Sequence, residues 1–137
     1  MAIVLGSRAT AIADVVDVAR AGADVELCGP ARTRLTDSHA ALVRAAAAGV
    51  RIYGATTGLG PNVGLTLPAD DGERAQRILV GRAAALGPPA PTELVRAALF
   101  ARVAGLAAGG SGVSPAVADT LIEMLRRGVH PVVPTIG

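Results

Sequence analysis

Aromatic residues are almost absent from this chain of 137 residues, which has one Tyr, one Phe and no Trp. Sites for single-stranded nucleic acid depend on aromatic side chains that stack on bases, together with a basic groove. The 13 basic residues are scattered along the chain, and the formal net charge is only +2. The sequence therefore predicts no nucleic-acid partner.

Cysteine and long apolar runs are also scarce. A single cysteine, Cys28, excludes an intramolecular disulfide and a multi-cysteine metal site. No apolar run reaches the roughly 18 residues that a membrane helix needs. The first residues lack the basic flank and length of a secretory signal. These features predict a cytoplasmic chain with no metal and no membrane partner.

Charge is low for a chain that is 51% hydrophobic, since only 18% of its residues are charged. Ordinary globular domains are about a quarter charged. The length is that of one domain with a real core, so residues 1–137 are expected to form one unit. The shortage of charge predicts that much of the surface is covered by other chains.

Apolar periodicity predicts a mainly helical fold with a few short strands near the start. Serine before proline at Ser114 is a strong helix start, because the serine hydroxyl can accept a hydrogen bond from an early amide. The predicted elements are strands at 2–5 and 24–28, helices at 10–22, 31–48, 73–86, 92–108 and 114–128, a turn at 87–91 and an extended segment at 129–134.

A glycine-rich loop over 53–72 begins at the single tyrosine, Tyr53. Glycine lets backbone approach a ligand closely because it has no Cβ. The glycine spacing fits neither a dinucleotide fingerprint nor a phosphate-binding P-loop. A lone tyrosine beside a glycine turn more often packs at the edge of a core than it catalyses. The residues alone leave both interpretations open, and a long loop of this composition favours an ordered binding loop.

Three segments together resemble the histidine and aromatic amino-acid ammonia-lyase family. Residues 53–60, Tyr-Gly-Ala-Thr-Thr-Gly-Leu-Gly, resemble its Tyr-Gly-x-x-Thr-Gly-Phe-Gly loop. Residues 106–113 resemble its Leu-Ala-x-Gly-x-Ser-Gly-Val segment, and residues 128–134 its Gly-Ile-His-Pro-x-x-Pro segment. Order and spacing agree, so the chain is identified as the N-terminal portion of a member of this family.

The resemblance implies the front part of a helical lyase in a homotetramer-like assembly. It implies elimination of ammonia from an aromatic or related α-amino acid, with the electrophilic ring 4-methylideneimidazol-5-one (MIO) as cofactor. Tyr53 stands at the position of the base that removes the β-proton, and Gly60 matches a glycine against which substrate packs. A free phenol has a pKa near 10, so a base of this type needs groups that stabilise the phenolate.

Substrate selectivity in the family resides in a residue pair for which this chain offers Arg82 or Ala83. Arg82 would favour an anionic group on the substrate, and Ala83 would enlarge the pocket. Arg82 as a plain helix-surface residue is an equal alternative. The assignment stays open between these interpretations.

The Ala-Ser-Gly triplet from which the family forms its ring does not occur in these residues. We therefore expect a second chain, separately encoded or released by cleavage after Gly137, to supply the cofactor and the remainder of the enzyme. Two alternatives are a 2,3-aminomutase, which uses the same base and cofactor, and a non-catalytic scaffold fragment.

Overall fold

The computed structural model describes residues 2–67, 80 and 83–136, and the prediction of a mainly helical fold is confirmed there. No helix within these ranges is long and apolar enough to cross a membrane. The elements are β1 (Ile3–Leu5), α1 (Ile12–Arg20), β2 (Val25–Leu27), α2 (Gly29–Ala47), a 3-10 helix (Gly60–Gly64), β3 (Leu86–Pro89), α3 (Thr92–Ala107), α4 (Pro115–Arg126) and β4 (Pro134–Ile136).

Proline fixes the starts of two helices. Pro30 and Pro115 lie in the first turns of α2 and α4, where a missing amide proton costs nothing. The predicted start of α4 is confirmed, and Ser114 is its extended N-cap residue. The predicted cap hydrogen bond is wrong, because the Ser114 side chain makes no such bond.

Strand β3 corrects two predictions made from local sequence. Leu86 was expected to end a helix over 73–86, and the following residues were expected to form a turn. Leu86–Pro89 instead pairs antiparallel with Pro134–Ile136, with Leu86 opposite Ile136. Local periodicity gives no sign of a partner strand so distant in the chain, and proline is compatible with an edge strand. Most of the predicted helix lies outside the described residues.

The core lies where α1 and α4 pack against α3, beside the parallel pair β1–β2. The only phenylalanine, Phe100 on α3, is fully buried at its centre. Ile3 is in register with Val25, which places apolar side chains of both strands on the helices. The other buried members of this cluster are Leu5, Val18, Ala31, Val103, Ala107 and Leu125.

Arginines fix the helix ends to one another. Arg96 on α3 donates to the Val18 carbonyl at 2.9 and 3.2 Å and to the Leu125 carbonyl at 3.0 Å. Arg34 on α2 donates to the Ala107 carbonyl at 3.0 and 3.2 Å. These carbonyls belong to the last turns of α1, α4 and α3, where the partial negative charge of the helix favours a cation. The ends of three helices are thereby held in fixed positions.

Asp14 on α1 is buried and accepts three hydrogen bonds. Arg8 donates two of them, at 2.6 and 2.8 Å, and the Ala11 amide donates the third at 2.8 Å. The Arg8 guanidinium and the Ala11 amide lower the pKa of Asp14 to about 2. The carboxylate is therefore stabilised in the folded chain relative to the unfolded chain.

Acid is expected to remove this stabilisation. An unfolded Asp has a pKa of about 3.9, so the contribution is complete above about pH 4 and is lost as the pH falls toward 2. The thermal midpoint followed by circular dichroism should fall over that interval. Asp14→Asn should lower the midpoint at neutral pH and flatten its decline in acid. Asp17→Asn, an exposed change on the same helix, is the control; equal pH curves for the two variants would contradict the assignment.

Candidate active site

The segment that follows α2 folds back on itself. Gly49, just beyond the end of α2, has a positive φ of 74°. Thr57 then forms an antiparallel bridge with Thr66. The Gly58 amide donates to the Leu65 carbonyl at 3.0 Å. The loop predicted over 53–72 is described as far as Leu67, and this part has ladder-like hydrogen bonds and a 3-10 helix of its own.

The structure brings Tyr53 and Gly60 of this loop together. The Gly60 amide donates a hydrogen bond to the Tyr53 phenol oxygen at 3.0 Å. Gly60 has a φ of +55° and begins the 3-10 helix. Tyr53 is 65% exposed, so its hydroxyl is accessible from outside the chain. This hydrogen bond fixes the position of the phenol oxygen relative to the Gly60 backbone.

Two threonine hydroxyls brace the turn between Tyr53 and Gly58. The Thr56 hydroxyl accepts from the Ile52 amide at 2.8 Å and donates to the Val50 carbonyl at 2.9 Å. Thr57 is only 2% exposed, and its hydroxyl donates to the Gly58 carbonyl at 3.0 Å. The backbone around the tyrosine is therefore held by two side chains for which the sequence alone predicted no role.

Glycine is required at position 58 for a reason of space. A Cβ on Gly58 would lie 2.3 Å from the Asn62 carbonyl oxygen, which belongs to the 3-10 helix. Gly64, at the other end of the same helix, has open space around the corresponding position. Neither residue has a positive φ. Gly58 thus permits the close approach that places the Gly60 amide at the phenol.

Of the two predicted selectivity residues, Ala83 lies within the described part of the chain. Ala83 is exposed and lies outside any helix or strand. Its amide donates to the Val80 carbonyl at 3.1 Å. Arg82 lies outside the described residues. The choice between Arg82 and Ala83 stays a prediction.

The second motif segment forms the connection between α3 and α4 and is held by α2. The Gly112 amide donates to the Ser38 hydroxyl at 2.9 Å, and His39 Nδ1 lies 2.9 Å from the Gly112 carbonyl oxygen. A Cβ on Gly112 would lie 2.8 Å from Leu42. In the third segment, His130 Nε2 lies 3.2 Å from the Thr92 hydroxyl. The second segment therefore contacts α2, and the third segment contacts the first residue of α3.

The residues present do not contain the precursor of an MIO ring, because no Ala-Ser-Gly triplet occurs among the 137 residues. Residues 110–112 read Gly-Ser-Gly. Within residues 2–67, 80 and 83–136, no three potential ligands among His, Cys, Asp and Glu group into a metal site. The chemistry that this part of the chain offers is a phenol with an amide donor.

The model of the family described as aromatic amino acid lyase matches residues 10–137. The chain belongs to this family. It is 43% identical over 137 residues to a histidine ammonia-lyase of Gloeobacter violaceus, an alignment that covers 98% of the chain and 26% of the relative. It therefore spans about a quarter of the length of the curated relatives it matches. The prediction of an N-terminal portion is confirmed.

Several solved structures superpose closely on the chain. Ergothionase of Treponema denticola, an ergothioneine-degrading enzyme, matches with a TM-score of 0.93 and 27% identity, covering 100% of this chain and 28% of that one. Tyrosine aminomutase of Streptomyces globisporus matches with a TM-score of 0.92 and 27% identity, covering 100% and 26%. The predicted ammonia-lyase fold is thereby confirmed.

Proposed function

We propose that this chain supplies the proton-abstracting base of an amino-acid ammonia-lyase, and that the base is Tyr53. The observation that carries the proposal is the 3.0 Å hydrogen bond from the Gly60 amide to the phenol oxygen of an exposed tyrosine. A general base needs an accessible atom that is held within reach of the proton it abstracts. The family membership of the chain supports the same role.

The proposed reaction is a β-elimination. The MIO ring, when present, supplies the electrophile that activates the amino group of the substrate. Tyr53 Oη, as phenolate, takes the β-proton. The electrons of the C–H bond form the Cα–Cβ double bond as the C–N bond breaks and ammonia leaves. The Gly60 amide holds the phenol oxygen in position for the transfer. The missing side chain at Gly60 leaves room for substrate beside the phenol.

The remainder of the site is proposed to come from sequence beyond these 137 residues, on a second chain, in a tetramer-like assembly. Large apolar side chains of β3 and of the segment around β4 are exposed, which supports a partner chain that covers them. Leu86 is 77%, Val132 79% and Ile136 63% exposed. Side chains of this size are seldom left together in water without a partner surface.

The proposed substrate is an aromatic or related amino acid, with histidine first among the candidates because the curated relatives are histidine ammonia-lyases. Arg82 or Ala83 would determine which substrate side chain is accepted. A 2,3-aminomutase is the second candidate, favoured by the similarity to tyrosine aminomutase. It shares the abstraction step and differs in returning the ammonia to the β-carbon.

Product analysis of the native assembly tests the proposal. A tag at the N-terminus of this chain is used to purify the assembly from its own cells. Intact mass and peptide sequencing then show whether a second polypeptide carries an Ala-Ser-Gly segment. The assembly is incubated with histidine, tyrosine and phenylalanine. Ammonia with an unsaturated acid indicates a lyase, and a β-amino acid indicates the mutase. Neither product from any of these amino acids would favour the scaffold alternative.

A further inference from the structure

We propose that Thr57 is a positioning residue whose buried hydroxyl sets the distance between the Tyr53 phenol and the Gly60 amide. This inference rests on the proposed function of Tyr53. Thr57 and Asp14 are the buried polar side chains in the described part of the chain. Asp14 belongs to α1. The Thr57 hydroxyl is therefore the buried polar side-chain group within the described part of the loop.

The Thr57 hydroxyl lies between two backbone segments of the turn, which we call its limbs. One limb contains Tyr53 and Gly54, and the other runs from Gly58 to Gly60. The hydroxyl accepts from the Gly54 amide at 3.4 Å and donates to the Gly58 carbonyl at 3.0 Å. Gly54 follows Tyr53 directly, and Gly58 precedes the 3-10 helix whose first amide reaches the phenol. One oxygen atom therefore links the backbone that carries the phenol to the backbone that carries its hydrogen-bond donor.

Burial makes this link difficult to replace. Water substitutes readily for a lost hydrogen bond at an exposed hydroxyl, whereas an unpaired group at a buried position keeps its full desolvation cost. The Thr57 backbone is also fixed by its bridge to Thr66. The Thr57 side chain therefore extends from a fixed backbone position, and its hydrogen bonds hold the turn relative to that position. Thr56 differs, because it is not buried and bonds toward Val50 at the entrance of the loop.

The consequence for catalysis is geometric. A misplacement of about 1 Å at a reacting group can cost about 100-fold in rate. Loss of the Thr57 hydroxyl leaves the Gly54 amide without this acceptor and lets the two limbs separate. The phenol then spends less time at the Gly60 amide. The chemical step should suffer, while ground-state binding of substrate, to which Thr57 makes no contact in this proposal, should change little.

The test compares Thr57→Val, which keeps the shape and deletes the hydroxyl, with Thr57→Ser, which keeps the hydroxyl. Each variant of the chain is produced in its own cells, and the native assembly that contains it is purified. We expect Thr57→Val to lower kcat about 100-fold with KM changed less than about threefold. Thr57→Ser should keep kcat within about fivefold, because the hydrogen bonds are retained. The control is Thr120→Val, which deletes an exposed hydroxyl bonded to the Ala116 carbonyl within α4 and should leave kcat unchanged.

Hydrogen exchange measured by mass spectrometry gives a readout that does not depend on activity. Faster exchange is expected in Thr57→Val for peptides containing the Gly54 and Gly60 amides, with unchanged exchange in α3. Wild-type kcat and wild-type exchange in Thr57→Val would overturn the inference. Equal loss in Thr57→Val and Thr57→Ser, with faster exchange across α3, would also overturn it, because the role would then be general stability.

The inference and the proposed function fail in different ways. If Tyr53→Phe is inactive and Thr57→Val is fully active, the base assignment stands and the positioning role is wrong. If Tyr53→Phe is fully active, the proposed function is wrong whatever Thr57 does. Faster exchange at Gly60 in Thr57→Val would still report the loss of the link between the two limbs.

Discussion

Tyr53→Phe should lower kcat of the native assembly by several hundred-fold or more, in line with general-base contributions of about 10²- to 10⁴-fold. The change removes one oxygen atom and keeps the ring. The phenol oxygen is the atom that the Gly60 amide contacts at 3.0 Å. Its loss deletes the proposed proton acceptor without altering the apolar contacts of the side chain.

The fold should tolerate this change. Tyr53 is 65% exposed, and substitutions at exposed positions usually alter stability by less than about 0.5 kcal/mol. The thermal midpoint should therefore stay close to that of the wild type, and KM should change little. Activity that remained within about tenfold of the wild type would show that another group removes the proton.

Gly58→Ala is the second change with a large expected effect. The added Cβ would lie 2.3 Å from the Asn62 carbonyl oxygen. The atom in the way belongs to the backbone and cannot rotate aside as the end of a flexible side chain can. The 3-10 helix must therefore move. Its movement separates the Gly60 amide from the Tyr53 phenol. We expect a loss of about 100-fold in kcat and a destabilisation of about 1–3 kcal/mol from overpacking.

Gly64→Ala provides the matched control in the same helix. Its Cβ would meet no atom within 4 Å, and its φ is not positive. It adds the same methyl group and should leave kcat within about threefold; replacing a glycine where no strain results can stabilise a chain by about 0.4–1 kcal/mol. Similar kcat values for Gly58→Ala and Gly64→Ala would mean that the close approach at Gly58 does not control the site.

Local sequence signals predicted the helices of this fold well where both ends carry clear boundaries. The helix expected at 92–108 is observed as Thr92–Ala107, and the start at Ser114-Pro115 as Pro115–Arg126. Strand β3 was missed because its signal lies in residues 134–136, far along the chain. A proline-rich segment is typical of a turn when it is considered by itself.

The candidate site was predictable only in part. The resemblance singled out Tyr53 and Gly60, and the structure brings these two residues together. The motif contains Gly58 and not Gly64, but it does not give the physical reason, because the requirement at Gly58 arises from a contact with Asn62 across a turn. Thr57 lies inside the motif, and a polar residue between two glycines of a binding loop is the signal that could have identified it. Its burial depends on tertiary packing, which local sequence does not encode.

Removal of the β-proton by Tyr53 can be followed as release of the substrate β-hydrogen into solvent. The native assembly is incubated with a substrate that carries deuterium stereospecifically at the β-carbon, and deuterium release into water is followed beside ammonia formation. We expect deuterium release with Tyr53 present and none above background in Tyr53→Phe, with substrate still bound. Deuterium release by Tyr53→Phe at the wild-type rate would contradict the assignment of Tyr53 as the base.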